Sequence, residues 1–247
     1  MTSVRVRALA ALLATVPAAG LLVGASPAQA GTLKVTVKSA SISKNAFVLS
    51  AKAGCTNVTA TATLSAPIPT EGYIYSGVGV DLVVAANTDK SVADAELKRV
   101  GTTSTYKGAF QVCGKYAPGK YSALIYGGAI DKDENVDLTN IVTKTLTIKR
   151  PSKVTLDASP EPVKKGKKIT AKGTLKIDGK VLAGAKVKIY FKKKGATSYS
   201  LKATTTTNSK GVFSKKFTAT KTGTWKVVYA GTGTKVAAAA TDAVKVK

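Results

Sequence analysis

The chain has 247 residues, with 38 Lys and Arg against 13 Asp and Glu, two Cys, one Trp and no His. Without His there is no Ser-His-Asp triad, no Cys-His dyad and none of the commonest transition-metal ligand, so a hydrolase or zinc enzyme is a poor reading and a non-enzyme the better one. A net charge of +25 directs attention instead to anionic partners.

In chain order, residues 1–30 come first. Arg5 and Arg7 precede an Ala- and Leu-rich run that Pro17, Gly20 and Gly24 interrupt, and Ala28-Gln29-Ala30 closes it. That is the layout of a secretory signal peptide, cleaved after Ala30, and no Cys follows to mark a lipoprotein. No later segment reaches the ~18 apolar residues of a membrane-spanning helix. The expectation is a secreted, extracellular product beginning at Gly31.

Beyond residue 30, period-2 alternation dominates and no long amphipathic stripe appears, so the fold class reads as all-β. Leu33, Val35 and Val37 alternate with Lys34, Thr36 and Lys38, while Val58, Ala60, Ala62 and Leu64 alternate with threonines. Further strands are expected at Val78–Ala85, Tyr106–Cys113, Tyr121–Tyr126 and Ile141–Lys149, with a helical turn over Ser91–Arg99. Cys55 and Cys113 are an isolated pair; in an oxidising compartment such a pair reads as a disulfide, two buried thiols being the alternative.

Between the later strands lies Asp131-Lys132-Asp133-Glu134-Asn135-Val136-Asp137. Asp131, Asp133, Asn135 and Asp137 place oxygens at positions 1, 3, 5 and 7, like the front half of a calcium loop. Val136 stands where such a loop needs Gly, and Val142 where it needs the bidentate Glu. The plainer reading is a solvated inter-strand loop; a weak calcium site is the alternative, and no other cofactor is implied.

The segment 150–152, Arg150-Pro151-Ser152, reads as a linker, because the charge changes across it. Residues 31–150 carry 14 basic and nine acidic residues, whereas residues 151–247 carry 22 Lys, no Arg and four acids, a net of +18. Strands are expected at Val154–Ala158, Ile169–Ile177, Ala185–Phe191, Tyr199–Ala203, Val212–Phe217, Trp225–Ala230 and Ala243–Val246. Their alternation sends Ile169, Ala171, Leu175 and Ile177 to one face and Lys168, Lys172 and Lys176 to the other. Likewise Val187, Ile189 and Phe191 oppose Lys186, Lys188 and Lys192. Trp225 and Tyr229 share a face with Val227 and read as core, while Tyr190 and Tyr199 offer stacking surfaces.

With those strands in place, Pro160-x-Pro162, Lys210-Gly211 as a hairpin opening, and Gly223-x-Trp225 followed by Tyr229-Ala230-Gly231 carry a resemblance. The second half resembles the immunoglobulin-like module of secreted proteins from high-GC Gram-positive bacteria. The first half looks like a more distant relative, with its Cys pair and Pro118-Gly119-x-Tyr121, although Gln111 stands where a corner Tyr would be and no Trp lies between the cysteines. The resemblance implies two tandem immunoglobulin-like β-sandwiches, residues 31–149 and 153–247, and leaves function open.

The functional expectation therefore rests on charge. Lys is a hydrated point charge without the bidentate fork of Arg, which disfavours sequence-specific reading of nucleic acid and favours diffuse contact with anionic cell-envelope or extracellular polymers. Lys168, Lys172, Lys176, Lys186, Lys188 and Lys192 are the expected contacts. A solubility device, or a structural spacer, is the alternative. The end at Lys247, with neither sorting motif nor apolar tail, leads us to expect any surface attachment to be non-covalent.

Overall fold

The computed structural model describes residues 31–247. The expected leader, residues 1–30, and the side chains of residues 88–90 lie outside the described residues. The chain divides into two units, one running to Phe47 and then over Lys52–Ile148, the other made of Val48–Ala51 and Lys149–Lys247.

The fold is all-β, with no helix among the described residues. In the first half the strands are β1 (Gly31–Thr32), β2 (Val37–Ile42), β3 (Ala46–Val48), β4 (Cys55–Leu64), β5 (Tyr73–Val84), β6 (Asn87–Arg99), β7 (Thr105–Cys113), β8 (Gly119–Asp131), β9 (Val136–Leu138) and β10 (Val142–Lys149). They form one hydrogen-bonded network in the order β1-β9-β8-β5-β6-β7-β4-β2, with β10 added on β8 and β3. The long strand β6 joins the halves of this network: Ala93–Leu97 pair with β5, and Lys98 and Arg99 pair with β7. The helical turn expected over Ser91–Arg99 is therefore corrected to strand. Backbone partners on both sides outweigh the helix preference of the Ala, Glu, Leu and Lys in that stretch.

The core of this unit follows from the alternation. Val58, Ala60, Ala62 and Leu64 of β4 are buried, facing inward with Phe110 and Val112 of β7, while threonines take the other parity. Cys55 and Cys113 are bonded, as register partners of adjacent strands, with Cα atoms 3.9 Å apart. This bridge ties neighbours within one sheet, unlike the inter-sheet bridge of antibody domains. It joins the first residue of β4 to the last of β7.

The second half contains β11 (Ser152–Val154), β12 (Asp157–Ser159), β13 (Lys168–Ile177), β14 (Lys180–Val181), β15 (Lys186–Lys193), β16 (Ser200–Thr206), β17 (Val212–Thr218), β18 (Gly223–Tyr229) and β19 (Ala238–Val244). Strand β13 is the spine of one sheet, paired with β11, β12, β14 and β17; the other sheet runs β16-β15-β18-β19. Between them Val154, Ile169, Leu175, Val187, Ile189, Phe213, Trp225 and Val227 form a continuous buried cluster. This is a two-sheet sandwich, with each strand's apolar parity turned inward.

Within the segment 150–152, Arg150 is 9% exposed, its Nη1 donates to the Leu49 carbonyl at 2.8 Å, and its backbone is bonded to Thr234 and Val236. Two sequence expectations change here. Lys210-Gly211 does not open a hairpin, because β16 and β17 lie in different sheets and the turn between them passes from one to the other. Asn208 builds that turn, its side-chain oxygen accepting from the amides of Lys210 and Val212 at 3.0 Å each, and Gly211 completes it at φ 69°, a left-handed conformation suited to Gly. The last strand is Ala238–Val244 rather than Ala243–Val246, since a run of alanines carries no alternation to read.

Candidate functional site

Each lysine row takes its direction from its strand. On β13, Lys168, Lys172 and Lys176 are exposed between inward Ile169, Ala171, Leu175 and Ile177. Lys153 stands beside Lys176 and Lys216 beside Thr170, widening the row across the sheet. On β15, Lys186 and Lys188 are exposed and Lys192 is half-buried, opposite in parity to Val187, Ile189 and Phe191. Because β13 and β15 belong to different sheets of the sandwich, the six lysines do not form one field. They form two, on the two outward faces, a distinction that alternation within single strands does not reveal.

The two faces also differ in character. On the β15 face the Tyr199 ring meets two ammonium groups, Lys192 Nζ 5.1 Å and Lys226 Nζ 5.2 Å from its centroid. An electron-rich ring face holds cations at such distances and keeps two like charges close together. Tyr190, half-buried, pairs with Lys226 across the strands. The β13 face has no such ring and carries Asp157 directly opposite Lys172. The expectation that Tyr190 and Tyr199 present rings at the surface thus concerns one face alone.

Trp225 and Tyr229 are core residues, 6% and 5% exposed. Trp225 nevertheless has a second environment. Edge strands β16 and β17 do not pair with each other, and between them the sandwich opens into a cleft of about 460 Å³. Phe191 and Phe217 flank Trp225 at its base, with ring centroids 4.9 and 4.5 Å from that of the indole. Strand β16 carries an irregularity opposite Ile189 and Tyr190: Ala203 faces Ile189 and Leu201 faces Tyr190, leaving Lys202 as the extra residue, which lines the cleft. Sequence reading missed this cleft, because an aromatic at core parity carries no mark of standing at the open end of a core.

The acidic loop is organised around its own backbone. Asp131 accepts from the amides of Asp133 and Asn135 at 2.9 and 2.8 Å and from the Asn135 side chain at 2.9 Å. The Asn135 side-chain bond, then its backbone bond, holds the Asp131 carboxyl below its ordinary range. Asp137 lies on β9 and accepts from the Tyr73 hydroxyl at 2.9 Å, and no group of three acidic, Cys or His residues suited to a metal occurs among the described residues. Asp131 is thus engaged by its own loop, and Asp137 by Tyr73.

A carboxylate that the sequence did not single out is more unusual. Asp81, in the middle of β5, is 2% exposed; one oxygen accepts from the Tyr126 hydroxyl at 2.5 Å and the other, Oδ1, has no hydrogen-bond partner. Burial raises its pKa, Asp94 directly across the strands raises it further, and the Tyr126 bond only partly opposes them. An acid whose folded pKa is raised keeps its proton longer in the folded state, so stability falls as pH climbs from 3.8, the ordinary carboxylate value, to the raised one. Asp81→Asn, which keeps an acceptor for Tyr126 and removes the charge, should gain on the order of 1 kcal/mol at pH 7 and flatten this dependence. Urea denaturation of both proteins at pH 4 and pH 7 checks it; a variant less stable at pH 7 would show that the ionised carboxylate is supported.

No family model matches the chain, and no curated protein matches it. Among solved structures, the fibronectin(III)-like modules of Clostridium thermocellum CbhA are 15% identical, over 86% of this chain and 92% of that one, at a TM-score of 0.30. The D0-D1 domain of intimin is 15% identical over 85% and 98%, at 0.28, and a marsupial T cell receptor is 12% identical over 86% and 73%, at 0.37. At these values the likeness carries no argument about function. No helix among the described residues is long and apolar enough to cross a membrane.

Proposed function

We propose that the protein is an exported, non-catalytic binding protein whose second unit associates with anionic polymers of the cell envelope or extracellular space. The observation that supports this most is the lysine rows on both outward faces of the sandwich, in a half carrying 22 Lys against four acids. Ammonium groups spaced along extended strands match the repeating charges of a polyanion and require no fixed geometry from it. The first unit, with its disulfide, serves as a companion domain suited to an oxidising compartment. A calcium-dependent role draws less support, since the loop's own amides already occupy Asp131.

The test uses the whole chain and a panel of anionic polymers, with Lys168, Lys172 and Lys176 replaced by Gln in one variant, Lys186, Lys188 and Lys192 in a second, and all six in a third. Replacing the five exposed lysines should alter stability by only about 0.5 kcal/mol each, and the half-buried Lys192 beside Tyr199 by somewhat more. Affinity should drop in each three-residue variant and further in the third. It should also fall steeply as salt rises from about 50 to 500 mM, with a shallower slope in each variant, because fewer counterions are released. Affinity flat in salt, or unchanged in the third variant, would return the charge to the role of a solubility device. Intact mass of the exported product should show a chain starting at Gly31.

A further inference from the structure

We propose that the cleft between β16 and β17 binds one acidic sugar ring, a uronate residue of an anionic polysaccharide; the assignment rests on the polyanion reading and narrows it to a chemical class. The base of the cleft is aromatic, with Phe191 and Phe217 half-buried and the Trp225 indole between them. The C–H face of a sugar ring is apolar and stacks on such a base, whereas a bare phosphate is fully hydrated and gains nothing from it. At the mouth stand Lys193, Lys202 and Lys221, all exposed, and no residue lining the cleft is acidic. Three point charges around an apolar floor, without an opposing carboxylate, complement a ring that carries one carboxylate. Ser198 and Thr220 also line the cleft and add hydroxyls with which the ring's own hydroxyls could bond. The volume of about 460 Å³ is enough for one such ring and falls within the range of ordinary small-ligand sites.

The three strands that supply these charges place them by different means. Lys193 ends β15, Lys221 follows β17, and Lys202 reaches the cleft through the extra residue in β16. The outer-face lysines Lys186, Lys188 and Lys192 have the opposite parity on β15. The cleft and the outer faces therefore use separate sets of cations, which lets them be tested separately.

Trp225 is the only tryptophan in the chain and lines the cleft, so under folding conditions a ligand-induced change in its fluorescence reports on this region of the second unit. Titrating the full chain with trigalacturonate at about 150 mM salt should change Trp225 emission saturably, and a neutral trisaccharide should not. Replacing Lys193, Lys202 and Lys221 with Gln should weaken the response about tenfold or more, while the variant lacking the six outer-face lysines keeps it within about twofold. No saturable change, an equal response to the neutral sugar, or a stronger one to oligothymidylate would each overturn the uronate assignment. Polymer binding that persists without any Trp225 response overturns the cleft and leaves the polyanion reading standing. A saturable uronate response in a chain that binds no polymer supports the cleft and overturns that wider reading.

Discussion

Replacing Cys55 and Cys113 together by Ala should lower the stability of the first unit by about 4 kcal/mol, from the loop-closure entropy that the cross-link removes from the unfolded chain. The two residues are separated by 58 positions, so the unfolded chain loses a large closed loop when the bond is absent. In the folded state little else changes, because β4 and β7 remain paired along their whole length from Cys55–Cys113 to Thr63–Thr105. The loss should be confined to its own unit. Trp225 belongs to the second unit, so its urea transition should not move, whereas amide exchange in β4 and β7 should accelerate by roughly three powers of ten, the equivalent of that energy. A shift of the Trp225 transition would mean that the two units unfold as one, and unchanged exchange would mean that the bridge restrains a chain already held by its ladder.

A similarly large loss should follow from Gly173→Ala at the centre of β13. A methyl group there would stand 1.9 Å from the Thr155 carbonyl oxygen and 2.5 and 2.8 Å from two carbons of the Phe213 ring. None of these can retreat cheaply. Thr155 is pinned by its amide to the Thr174 carbonyl at 3.0 Å, and Phe213 is 1% exposed within the core. Overpacking of a closed site costs typically 1–3 kcal/mol and more where backbone must move, so a loss of about 3 kcal/mol is expected. The Trp225 transition measures it directly. Gly233→Ala is the control, because a methyl group there meets nothing within 4 Å, and it should stay within about 0.5 kcal/mol of the parent. Equal effects at the two positions would show that backbone entropy, not crowding, governs both.

What could be read beforehand follows from what alternation encodes. The spacing of Ile169, Ala171, Leu175 and Ile177 identifies a half-buried strand and the side on which Lys168, Lys172 and Lys176 emerge, because the pleat ties parity to face. It says nothing about the partner of that strand. Nothing in the alternation says that the two lysine rows stand on separate surfaces, as they do because β13 and β15 lie in opposite sheets. Ser91–Arg99 was misjudged for a related reason: its local composition favours helix, and only the ladders to β5 and β7 decide otherwise. Asp81 gave no local signal either. Its burial comes from β8 and β6 on either side, while its own neighbours Val80 and Leu82 mark it as an outward residue of an ordinary strand. Trp225 was correctly placed on the core parity; its position at the open end depends on β16 and β17 failing to meet, which is a property of two sheets together.

The extra residue in β16 makes strand register, not residue type, decide where one cation serves. With Lys202 out of step, Ala203 faces Ile189, Leu201 faces Tyr190, and Lys202 lines the cleft. Delete one residue between Ala196 and Ser198, and the pairing is untouched, since the loop absorbs the change. Delete Leu201 instead, and plain alternation returns: the lysine would pair with Tyr190 on the outer surface, joining Lys192 and Lys226, and the cleft would lose a third of the charge at its mouth. Two proteins of the same length and with the same lysines can in this way divide those lysines differently between a surface and a cavity.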